Sequence, residues 1–403
     1  MNIGILTHHW VYNFGANLQT LSTLNFIRKA GHTPFVINWI PADVEKSYQH
    51  DTTAEQADCF RKFQDRYFPL TTVCRDSREI AEVINKYHID RVMIGSDTVF
   101  KLRKPVFSFR KMRMIYPTSN AKFPNAFWGD FLNYGVSPSV VAYSAATIDT
   151  NPSQFDKEKS AIGEALRRFQ RITVRDHATA ELIQYFTNGE LNPPITPDPV
   201  FGFNNNVDGQ MTKADVMERF GLPEHYYLIG FQEAFESRAY NWAKDVASYI
   251  KQRTNVECFE LPRQTGRRLL NINQINEGPI TPLEWYSIIR FSNGFIGQLM
   301  HPIVSAMHNS LPFYSLDYYG IGKYKRLKID YKTSKVYQIV KQADMLYRYC
   351  HVGARFDRLP NHKEVVDAFL TDDNNKRIEW SRKMAELSKN TMKDIILGES
   401  NTK

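Results

Sequence analysis

Short apolar runs alternate with amphipathic stretches along most of the chain, and the alternation starts at its N-terminus. Residues 3–7 form a continuous apolar run, which predicts a buried parallel strand. Leucine and isoleucine recur at helical spacing between residues 18 and 27, and Gly31 follows where such a helix is expected to end. Residues 34–39 form a second apolar run. This strand–helix–strand order indicates the unit from which doubly wound α/β sheets are built.

The alternation continues in two series separated by a proline-rich segment. The first series predicts strands at residues 91–95, 140–144 and 171–174 and helices at residues 78–87, 160–169 and 178–186. Four prolines lie between residues 192 and 199, and so dense a run excludes a helix. The second series predicts strands at residues 226–231, 257–260, 294–297 and 313–316 and helices at residues 240–251, 283–290 and 302–308. A charged, helix-periodic tail runs from residue 374 to residue 396.

The pattern predicts an α/β fold with two doubly wound, Rossmann-like domains that face each other across a cleft, and a C-terminal helix that packs back across them. We place the N-terminal domain at residues 1–195, the C-terminal domain at 196–370 and the helical tail at 371–403. The proline-rich segment is the expected hinge or linker. Because such sheets bind ligands beyond the carboxyl ends of their strands, the functional site is expected in the cleft.

The composition narrows the class of protein. The chain has 403 residues, is 42% hydrophobic and 23% charged, which is globular composition and excludes disordered and collagen-like proteins. Its four cysteines are widely spaced and form no Cys-x-x-Cys pair, which argues against a disulfide framework or a zinc site of familiar spacing. The first residues lack the basic region of a signal peptide, and no uncharged apolar run is long enough to span a membrane. We therefore expect a cytoplasmic protein.

The positive charge is concentrated in one segment. Residues 98–129 carry seven basic and no acidic side chains, whereas the rest of the chain has 44 basic and 43 acidic ones. A nucleic-acid-binding protein would show a broader basic surface, so no nucleic-acid partner is expected. The basic side chains alternate with apolar ones, a pattern that suits peripheral contact with an anionic membrane or a phosphorylated lipid headgroup, although a charge run is more often only a solvated face. The alternative is a solvated insertion whose aromatic side chains pack on their own domain.

The loop after the first predicted strand is the first candidate for binding. Residues 12–19 read Tyr-Asn-Phe-Gly-Ala-Asn-Leu-Gln, in which Gly15 permits a tight turn close to a ligand. The helix that follows would present free N–H groups to an anion. Neither the glycine pattern of a dinucleotide-binding site nor that of a P-loop is present. Taken alone, this loop is better interpreted as a purely structural turn.

Further segments occur in a characteristic order along the chain. They are Ile-Gly-Ser-Asp-Thr-Val-Phe at 94–100, Val-Ala-Tyr-Ser-Ala-Ala at 141–146, Thr-Val-Arg-Asp at 173–176, Asp-Pro-Val-Phe at 198–201, and a helix from His301 leading to Pro312. Together with the loop at 12–19, this ordered set resembles the polysaccharide pyruvyl transferase family over residues 3–330. The chain departs from the family in its rich basic insertion and in the residues that precede His301.

The resemblance implies a glycosyltransferase-B-like fold and a pyruvyltransferase activity. In that reaction phosphoenolpyruvate gives up its pyruvyl group to two hydroxyls of a sugar, which form a ketal, and phosphate is released. The acceptor would be a precursor of a surface or capsular polysaccharide, with galactose as a candidate sugar, carried on a diphosphate-linked lipid at the inner face of the plasma membrane. The family's functional residues map onto Arg175, His301 and Lys323.

The chemistry of this donor explains why these residue types are suitable. Phosphoenolpyruvate carries roughly three negative charges near neutral pH, so its site needs several cations. Arg175 follows a predicted strand and suits a bidentate grip on a carboxylate or phosphate, whereas Lys323 would act as a point charge. Further substrate-binding candidates are Asn13, Gly15 and Asn17 in the first loop and Arg263, Arg267 and Arg268 in a loop of the C-terminal domain.

Ketal formation begins with protonation of the enol carbon and therefore needs a general acid. His301 begins a predicted helix and is the candidate, either as this acid or as a hydrogen-bond donor to phosphate. Asp97 and Asp317 are the carboxylates placed to take a hydroxyl proton or to orient His301, and the sequence leaves the choice open. The reaction requires neither a metal nor another cofactor.

Two other functions fit the same architecture. A nucleotide-sugar glycosyltransferase would need a carboxylate for the donor ribose late in the second domain, where Asp317 is the one acidic residue between 302 and 317. A non-catalytic, two-lobed carbohydrate-binding protein is the second alternative. Such proteins are usually exported, and a signal peptide is not expected here.

Overall fold

The computed structural model describes residues 1–48, 52–108, 112–148, 150–231, 236–267, 269–275, 278–323, 328–352 and 359–397. Its N-terminal half contains strands β1 (Asn2–Leu6), β2 (Thr33–Val36), β3 (Arg91–Ile94), β4 (Val106–Ser108), β5 (Arg113–Ile115), β6 (Ser139–Ala145) and β7 (Arg171–Val174). The helices of this half are α1 (Phe14–Lys29), α2 (Ala42–Tyr48), α3 (Ala54–Tyr67), α4 (Ser77–Lys86), α5 (Lys159–Arg167) and α6 (His177–Phe186).

The C-terminal half begins with short helices and then repeats the alternation. Its strands are β8 (Tyr226–Gly230), β9 (Glu257–Glu260), β10 (Phe295–Gly297), β11 (Phe313–Asp317), β12 (Ile321–Lys323), β13 (Lys328–Asp330) and β14 (Tyr349–His351). Its helices are α7 (Phe203–Asn206), α8 (Lys213–Phe220), α9 (Glu236–Thr254), α10 (Pro282–Arg290), α11 (Met300–His308), α12 (Lys335–Gln342), α13 (His362–Phe369) and α14 (Asn374–Leu397).

The two main sheets are parallel and have the same topology. The first has strand order β2-β1-β3-β6-β7 and the second β14-β11-β10-β8-β9. In the first sheet the chain adds β2 on one side of β1 and then crosses to add β3 on the other side. In the second sheet it adds β9 on one side of β8 and then β10 on the other, so the strand order reverses at the same point in both. A crevice that binds ligands forms at such a reversal, beyond the carboxyl ends of the strands. The α/β fold class predicted from the sequence is confirmed.

Helix α1 lies between the two halves and joins their cores. One continuous apolar cluster includes Leu18 and Leu21 of α1, Ile5 of the first sheet, and Ile288 and Val304 of the second half. Burying apolar side chains on both sides of one helix makes the interface between the halves part of the core. Thr20, Ser22 and Thr23 of α1 are buried as well. The two threonines donate to carbonyls one turn back in the helix, and Ser22 donates to Pro199 O, which fixes this face of the helix against the segment after β7.

The proline-rich segment is tied to the first sheet. The amide of Thr196 donates to Val174 O at 2.7 Å, and the amide of Val174 donates to Pro194 O at 3.0 Å, so residues 194–196 pair with β7. The next residue but one, Asp198, then caps a single 3₁₀ turn through its bond from Val200 N. The segment predicted as a hinge or linker is therefore hydrogen-bonded to an edge strand and leads directly into the buried interior.

The basic insertion is divided into a buried base and a projecting hairpin. Phe100 and Leu102 at one end and Phe127 and Trp128 at the other are buried in the core. Between them, β4 and β5 form a separate two-stranded antiparallel sheet. The packing of aromatic side chains on their own domain, given above as the alternative interpretation, thus applies to the base of the insertion.

Helix α14 packs back onto the first sheet as the sequence predicted. Arg91, at the start of β3, donates to the carbonyls of Ile395 and Ile396 in the last turn of the helix, the second at 2.7 Å. Arg171 of β7, the edge strand of the same sheet, pairs with Asp394. Because the last carbonyls of a helix have no partner within the helix, a buried guanidinium that binds them stabilises the helix end. None of the helices in the described ranges is long and apolar enough to cross a membrane.

We predict that Arg91→Ala lowers the free energy of unfolding by about 2–3 kcal/mol, because buried helix carbonyls lose their charged donor. The loss should be visible in chemical denaturation, with faster hydrogen exchange confined to α14 and the ends of β3 and β6. Arg382→Ala is the control, because Arg382 is an exposed residue of the same helix. Equal effects of the two substitutions would contradict the anchoring role of Arg91.

Candidate functional site

The reversal points of the two sheets face each other, and charged side chains meet there. Asp97 follows β3 of the first sheet, and Arg175 follows β7. His301 lies on the first turn of α11, after β10 of the second sheet. Asp97 and Asp198 both lie within 3.5 Å of Arg175, and all three charges influence the pKa of His301. The structure thus brings Arg175, His301 and Asp97 into one cluster.

Arg175 is the buried centre of this cluster. Its Nη1 lies 2.7 Å from Oδ2 of Asp198, and its Nη2 lies 3.5 Å from Oδ1 of Asp97. The side chains of Arg175 and Asp198 are 1% and 0% exposed, so each charge depends on the other for its solvation. Asp198 also accepts a hydrogen bond from Gln19 of α1. The Nε of Arg175 makes no hydrogen bond within the described part of the chain.

Asp97 is held ionised in a strained backbone conformation. Burial acts to raise its pKa, but the nearby cations of Lys335 and Arg175 outweigh burial and lower the pKa below the usual range of a carboxyl group. Its φ of 75° is uncommon for a residue with a side chain. Leu299, two residues before His301, has a φ of 77°. Backbone strain on both sides of a cluster is characteristic of functional sites.

His301 packs directly on the backbone of Gly15. A Cβ atom built on Gly15 would lie 2.0 Å from Cγ and 2.1 Å from Nδ1 of His301. Gly15 is therefore required because any side chain would displace the imidazole, which is a packing reason and not a turn. Burial lowers the pKa of His301, with Asp198 and Asp97 opposing the shift. The Nε2 atom is buried and has no hydrogen-bond partner among the described residues, so it is available to a ligand.

Lys335 belongs to the cluster, and the sequence analysis did not find it. It is the first residue of α12, and its half-buried ammonium interacts with Arg175, Asp97, Asp176 and Asp198. Burial, reinforced by the positive charge of Arg175, lowers its pKa to about 8. A lysine in such surroundings remains mostly charged at neutral pH and titrates near physiological pH. Ser334, at the N-cap of α12, fixes where this helix begins.

The first loop supports the site through hydrogen bonds. Asn13 accepts from Ala16 N at 3.0 Å, which caps α1, and donates to Gln264 Oε1 at 3.0 Å, which lies in the C-terminal half. Asn17 is fully buried: its amide donates to Val11 O and Asn13 O, and its Oδ1 accepts from Gln64. Asn13 and Gly15 therefore border the cluster, whereas the buried Asn17 fixes the loop through hydrogen bonds within the first half.

A cavity of about 240 Å³ lies between the two halves near this loop. Thr53 and Gln56 at the start of α3 line one side, and Arg263, Gly266 and Arg267 line the other. Arg263 donates through Nε and Nη2 to the carbonyl of Arg267, which shapes the loop. Gln264, which lies in the same loop as Arg263 and Arg267, bonds Asn13 of the first loop, so a single hydrogen bond links the wall of the cavity to the loop on which His301 packs.

The remaining candidates lie apart from the cluster or outside the described structure. Asp317, at the end of β11, accepts from the hydroxyls of Ser334 and Tyr349 and from Tyr319 N, and burial raises its pKa. Its described contacts do not include His301, so the structure favours Asp97 over Asp317 as the neighbour of the histidine. Lys323 ends β12, which pairs with β13. Arg268 lies outside the described residues.

The two histidines after β1, His8 and His9, have different surroundings. His9 is buried between Asn38 and Thr7 O, and burial lowers its pKa to about 4. Burial also lowers the pKa of His8, against which the nearby Asp97 acts. In the ranges that the structure covers, no three His, Cys, Asp or Glu side chains are grouped so as to hold a metal ion. What the cluster offers a ligand is therefore an unpartnered imidazole nitrogen and a half-buried ammonium beside a fixed carboxylate.

Comparison with solved structures defines the class of fold. The chain is similar to the UDP-GlcNAc 2-epimerase of Methanocaldococcus jannaschii, with a TM-score of 0.56 and 9% identity over 98% of this chain and 100% of the other. It is similar to the UDP-GlcNAc 2-epimerase of Neisseria meningitidis, with a TM-score of 0.53 and 10% identity over 98% and 100%. For the spinosyn rhamnosyltransferase SpnG the values are 0.51 and 8% over 98% and 100%. These likenesses confirm the glycosyltransferase-B-like fold.

The family follows from a second comparison. The family model for polysaccharide pyruvyl transferase matches residues 13–319, which include the first loop, Asp97, Arg175, Asp198 and His301. A comparison with curated proteins finds no match. The chain belongs to the polysaccharide pyruvyl transferase family and is a transferase, as its motifs indicated. Lys335 lies beyond the matched segment.

We predict that Gly15→Ala lowers kcat by about 100-fold, because the added methyl displaces the His301 imidazole by an ångström or more. The fold should survive, with an unfolding free energy reduced by about 1–3 kcal/mol through overpacking. Steady-state kinetics and chemical denaturation measure the two effects.

A double-mutant cycle is the control for this prediction. In a His301→Ala background the imidazole is gone, so Gly15→Ala should cost no unfolding free energy. Additive costs in the two backgrounds would show that the methyl clashes with something other than His301.

Proposed function

We propose that this transferase moves the pyruvyl group of phosphoenolpyruvate onto two hydroxyls of a sugar in a polysaccharide precursor, releasing phosphate. One observation carries the proposal. The unpartnered Nε2 of His301 and the half-buried ammonium of Lys335 converge beside the ionised Asp97. This arrangement combines a proton donor, a cation for a phosphate and a negative charge that can stabilise a developing carbocation.

The donor would bind through two cations, of which one, Arg175, already has a carboxylate partner. Lys335 is the half-buried cation and would contact the phosphate as a point charge. Nη1 of Arg175 already contacts Asp198, but its Nε has no partner among the described residues and would donate to an oxygen of the donor. Lys323, the last residue of β12, stays a proposed contact because the family resemblance implies it. Bound phosphate would raise the pKa of His301 and so favour its protonated form.

In the proposed reaction His301 both donates the first proton and accepts one back. Protonated His301 delivers its proton to C3 of phosphoenolpyruvate, and the C2 centre becomes an oxocarbenium ion. The first sugar hydroxyl forms a bond to C2, and its proton passes to the now neutral His301. The second hydroxyl forms the other C–O bond as the C2–O bond to phosphate breaks, and its proton leaves with the phosphate. Asp97, too acidic to be a good base, would stabilise the two cationic stages.

The acceptor sugar would lie in the cavity between the two halves. Its volume of about 240 Å³ suits a sugar residue, and its wall carries Arg263 and Arg267 as hydrogen-bond donors. Gln264, in the loop that contributes Arg263 and Arg267 to the wall, bonds Asn13, which supports a sugar site close to the first loop. Arg268 is assigned to the same loop by its position in the sequence. Galactose remains the candidate sugar.

The wider setting of the reaction is also proposed. We assign the acceptor to a capsular or other surface polysaccharide precursor on a diphosphate-linked lipid. The chain would meet this lipid at the inner face of the plasma membrane through peripheral contact by residues 98–129. Neither a metal nor a further cofactor is needed, because the cations that neutralise the phosphate are side chains. Activity in the presence of a chelator is the corresponding test.

Incubation with phosphoenolpyruvate and a galactosyl acceptor tests the proposal directly. We expect release of phosphate together with an acid-labile pyruvyl ketal on the acceptor, detected by mass spectrometry. His301→Ala should lower kcat by at least 100-fold, since a positioned proton donor contributes roughly 10²–10⁴. His301→Gln keeps a hydrogen bond to phosphate, so near-normal turnover in this variant would exclude the acid role. Consumption of a nucleotide sugar instead would indicate a glycosyltransferase.

We predict a descending limb near pH 8 in the profile of kcat/KM for phosphoenolpyruvate, because the Lys335 ammonium loses its proton there. In the kcat profile the limb should move to higher pH, since bound phosphate stabilises the ammonium. Lys335→Met should raise the donor KM by roughly 10- to 150-fold. Lys335→Arg is the control: it keeps the charge, and the limb should disappear. A limb unchanged in Lys335→Arg would assign it to another group.

Lys335 also lowers the free energy of unfolding, by an amount that depends on pH. Its pKa is lower in the folded protein than in the unfolded chain, so the unfolded chain binds more protons between about pH 8 and the ordinary value near 10.5. The contribution of Lys335 therefore destabilises the fold fully below pH 8 and fades as the pH rises through that window. Lys335→Met should remove this part of the pH dependence, as measured by urea denaturation at several pH values.

A further inference from the structure

Helix α12 brings Lys335 to the charged cluster from the C-terminal half of the molecule. The charged side chains that act on its ammonium include Asp97, Arg175 and Asp176, which all belong to the first half. Asp198, which follows the segment paired with β7, acts on it as well. The placement of this cation therefore depends on where α12 begins, because a shift of the helix by an ångström would separate the ammonium from these partners.

The helix itself does not favour a lysine at this position. Lys335 is the first residue of α12, and the positive end of a helix dipole lies at the N-terminus. Residues 335–338 read Lys-Val-Tyr-Gln, so the first turn has no acidic side chain that would offset the repulsion. The ammonium is therefore held at this helix end by tertiary contacts.

The apolar face of α12 holds the body of the helix against the core. Val336, Ile339 and Val340 are buried in the apolar cluster that also contains Leu18 and Leu21 of α1. Apolar contacts are non-directional, so they stabilise the helix without defining its position along its own axis. Hydrogen bonds are directional, and one at the N-terminus of α12 can define that position.

Asp317 makes this hydrogen bond. The hydroxyl of Ser334, the N-cap of α12, accepts from Val336 N at 3.2 Å and donates to Oδ2 of Asp317. Asp317 is 3% exposed, ends β11, and also accepts from the Tyr349 hydroxyl at 2.9 Å and from Tyr319 N at 3.0 Å. Tyr349 belongs to β14, which pairs with β11. Two neighbouring strands thus fix the carboxyl group that holds the N-cap of α12.

We propose that Asp317 is a positioning residue, which sets the N-terminus of α12 through Ser334 and so holds the Lys335 ammonium in the charged cluster. The role differs from that of a proton acceptor, the alternative that the sequence left open, because three donors already contact the carboxyl group. The inference rests on the proposed function for its consequence in catalysis. The placement of Lys335 can be measured without any substrate.

An NMR titration of the lysine tests the placement directly. Reductive methylation with 13C-formaldehyde labels the lysine side chains of the full chain, and the signal absent from Lys335→Met belongs to Lys335. In the unaltered chain this signal should titrate near pH 8. In Ser334→Ala and Asp317→Asn the ammonium should move towards solvent. The midpoint should then rise by about one pH unit or more, towards the ordinary value near 10.5.

Steady-state kinetics test the consequence for the donor. Ser334→Ala and Asp317→Asn should each raise the KM for phosphoenolpyruvate about tenfold and leave kcat within about twofold, because the cation moves and the imidazole of His301 does not. In a Lys335→Met background neither substitution should raise the donor KM further, since the cation that it displaces is gone. An equal rise in both backgrounds would contradict a role that acts through Lys335.

Tyr349→Phe is the matched control. It removes the other side-chain hydroxyl that donates to Oδ2 of Asp317 and leaves the bond from Ser334 in place. We expect it to lower the melting temperature about as much as Ser334→Ala does, because each removes one buried hydrogen bond. The titration midpoint of Lys335 and the donor KM should remain those of the unaltered chain.

Two results would overturn the proposal. The first is a Lys335 midpoint that stays near pH 8 in both Ser334→Ala and Asp317→Asn. The second is an equal change of the midpoint in Tyr349→Phe. If Asp317→Asn does not fold, Ser334→Ala decides, because it removes a single hydroxyl. A shifted midpoint in a protein that does not turn over phosphoenolpyruvate would support the positioning role and contradict pyruvyl transfer, so the two failures are distinguishable.

Discussion

The fully buried ion pair between Arg175 and Asp198 is the constraint on which the rest of the site depends. Two opposite charges with essentially no exposure must stay together, because either one alone would be desolvated without compensation. The pair fixes the end of β7 to the proline-rich segment, and Asp198 reaches α1 through Gln19. It also leaves the second arginine nitrogen near Asp97. The charge balance of the cluster is therefore set by the fold before any substrate arrives.

Helix α1 transmits this constraint from one half of the molecule to the other. It is buried between the two sheets, its N-cap Asn13 bonds the C-terminal half, and Gly15 provides the flat surface on which the His301 imidazole lies. A shared apolar core is hard to open, so the relative placement of Asp97 and His301 is a packing property. The polysaccharide pyruvyl transferase motifs at 12–19 and near His301 are thus two sides of one contact.

The two cations near this contact, Arg175 and Lys335, have different electrostatic roles. Arg175 stabilises the carboxylates, whereas Lys335, with a pKa lowered to about 8 by burial and by Arg175, carries a charge that responds to pH and to a bound anion. His301 keeps a buried nitrogen for a ligand. Pairs of groups whose surroundings move their pKa values in useful directions are what acid–base chemistry near neutral pH requires.

The sequence by itself determined the alternation of strands and helices and the family, since apolar periodicity and ordered motifs are local signals. It also offered Arg175 and His301 as candidates and left Asp97 and Asp317 as alternatives. It did not reveal why Gly15 is a glycine or that Asp198 pairs with Arg175, because both depend on contacts between residues far apart in the chain. Lys335 was missed because no helix was predicted there and it lies outside the motifs. Only tertiary packing, which decides burial and therefore pKa, placed that lysine beside Asp97.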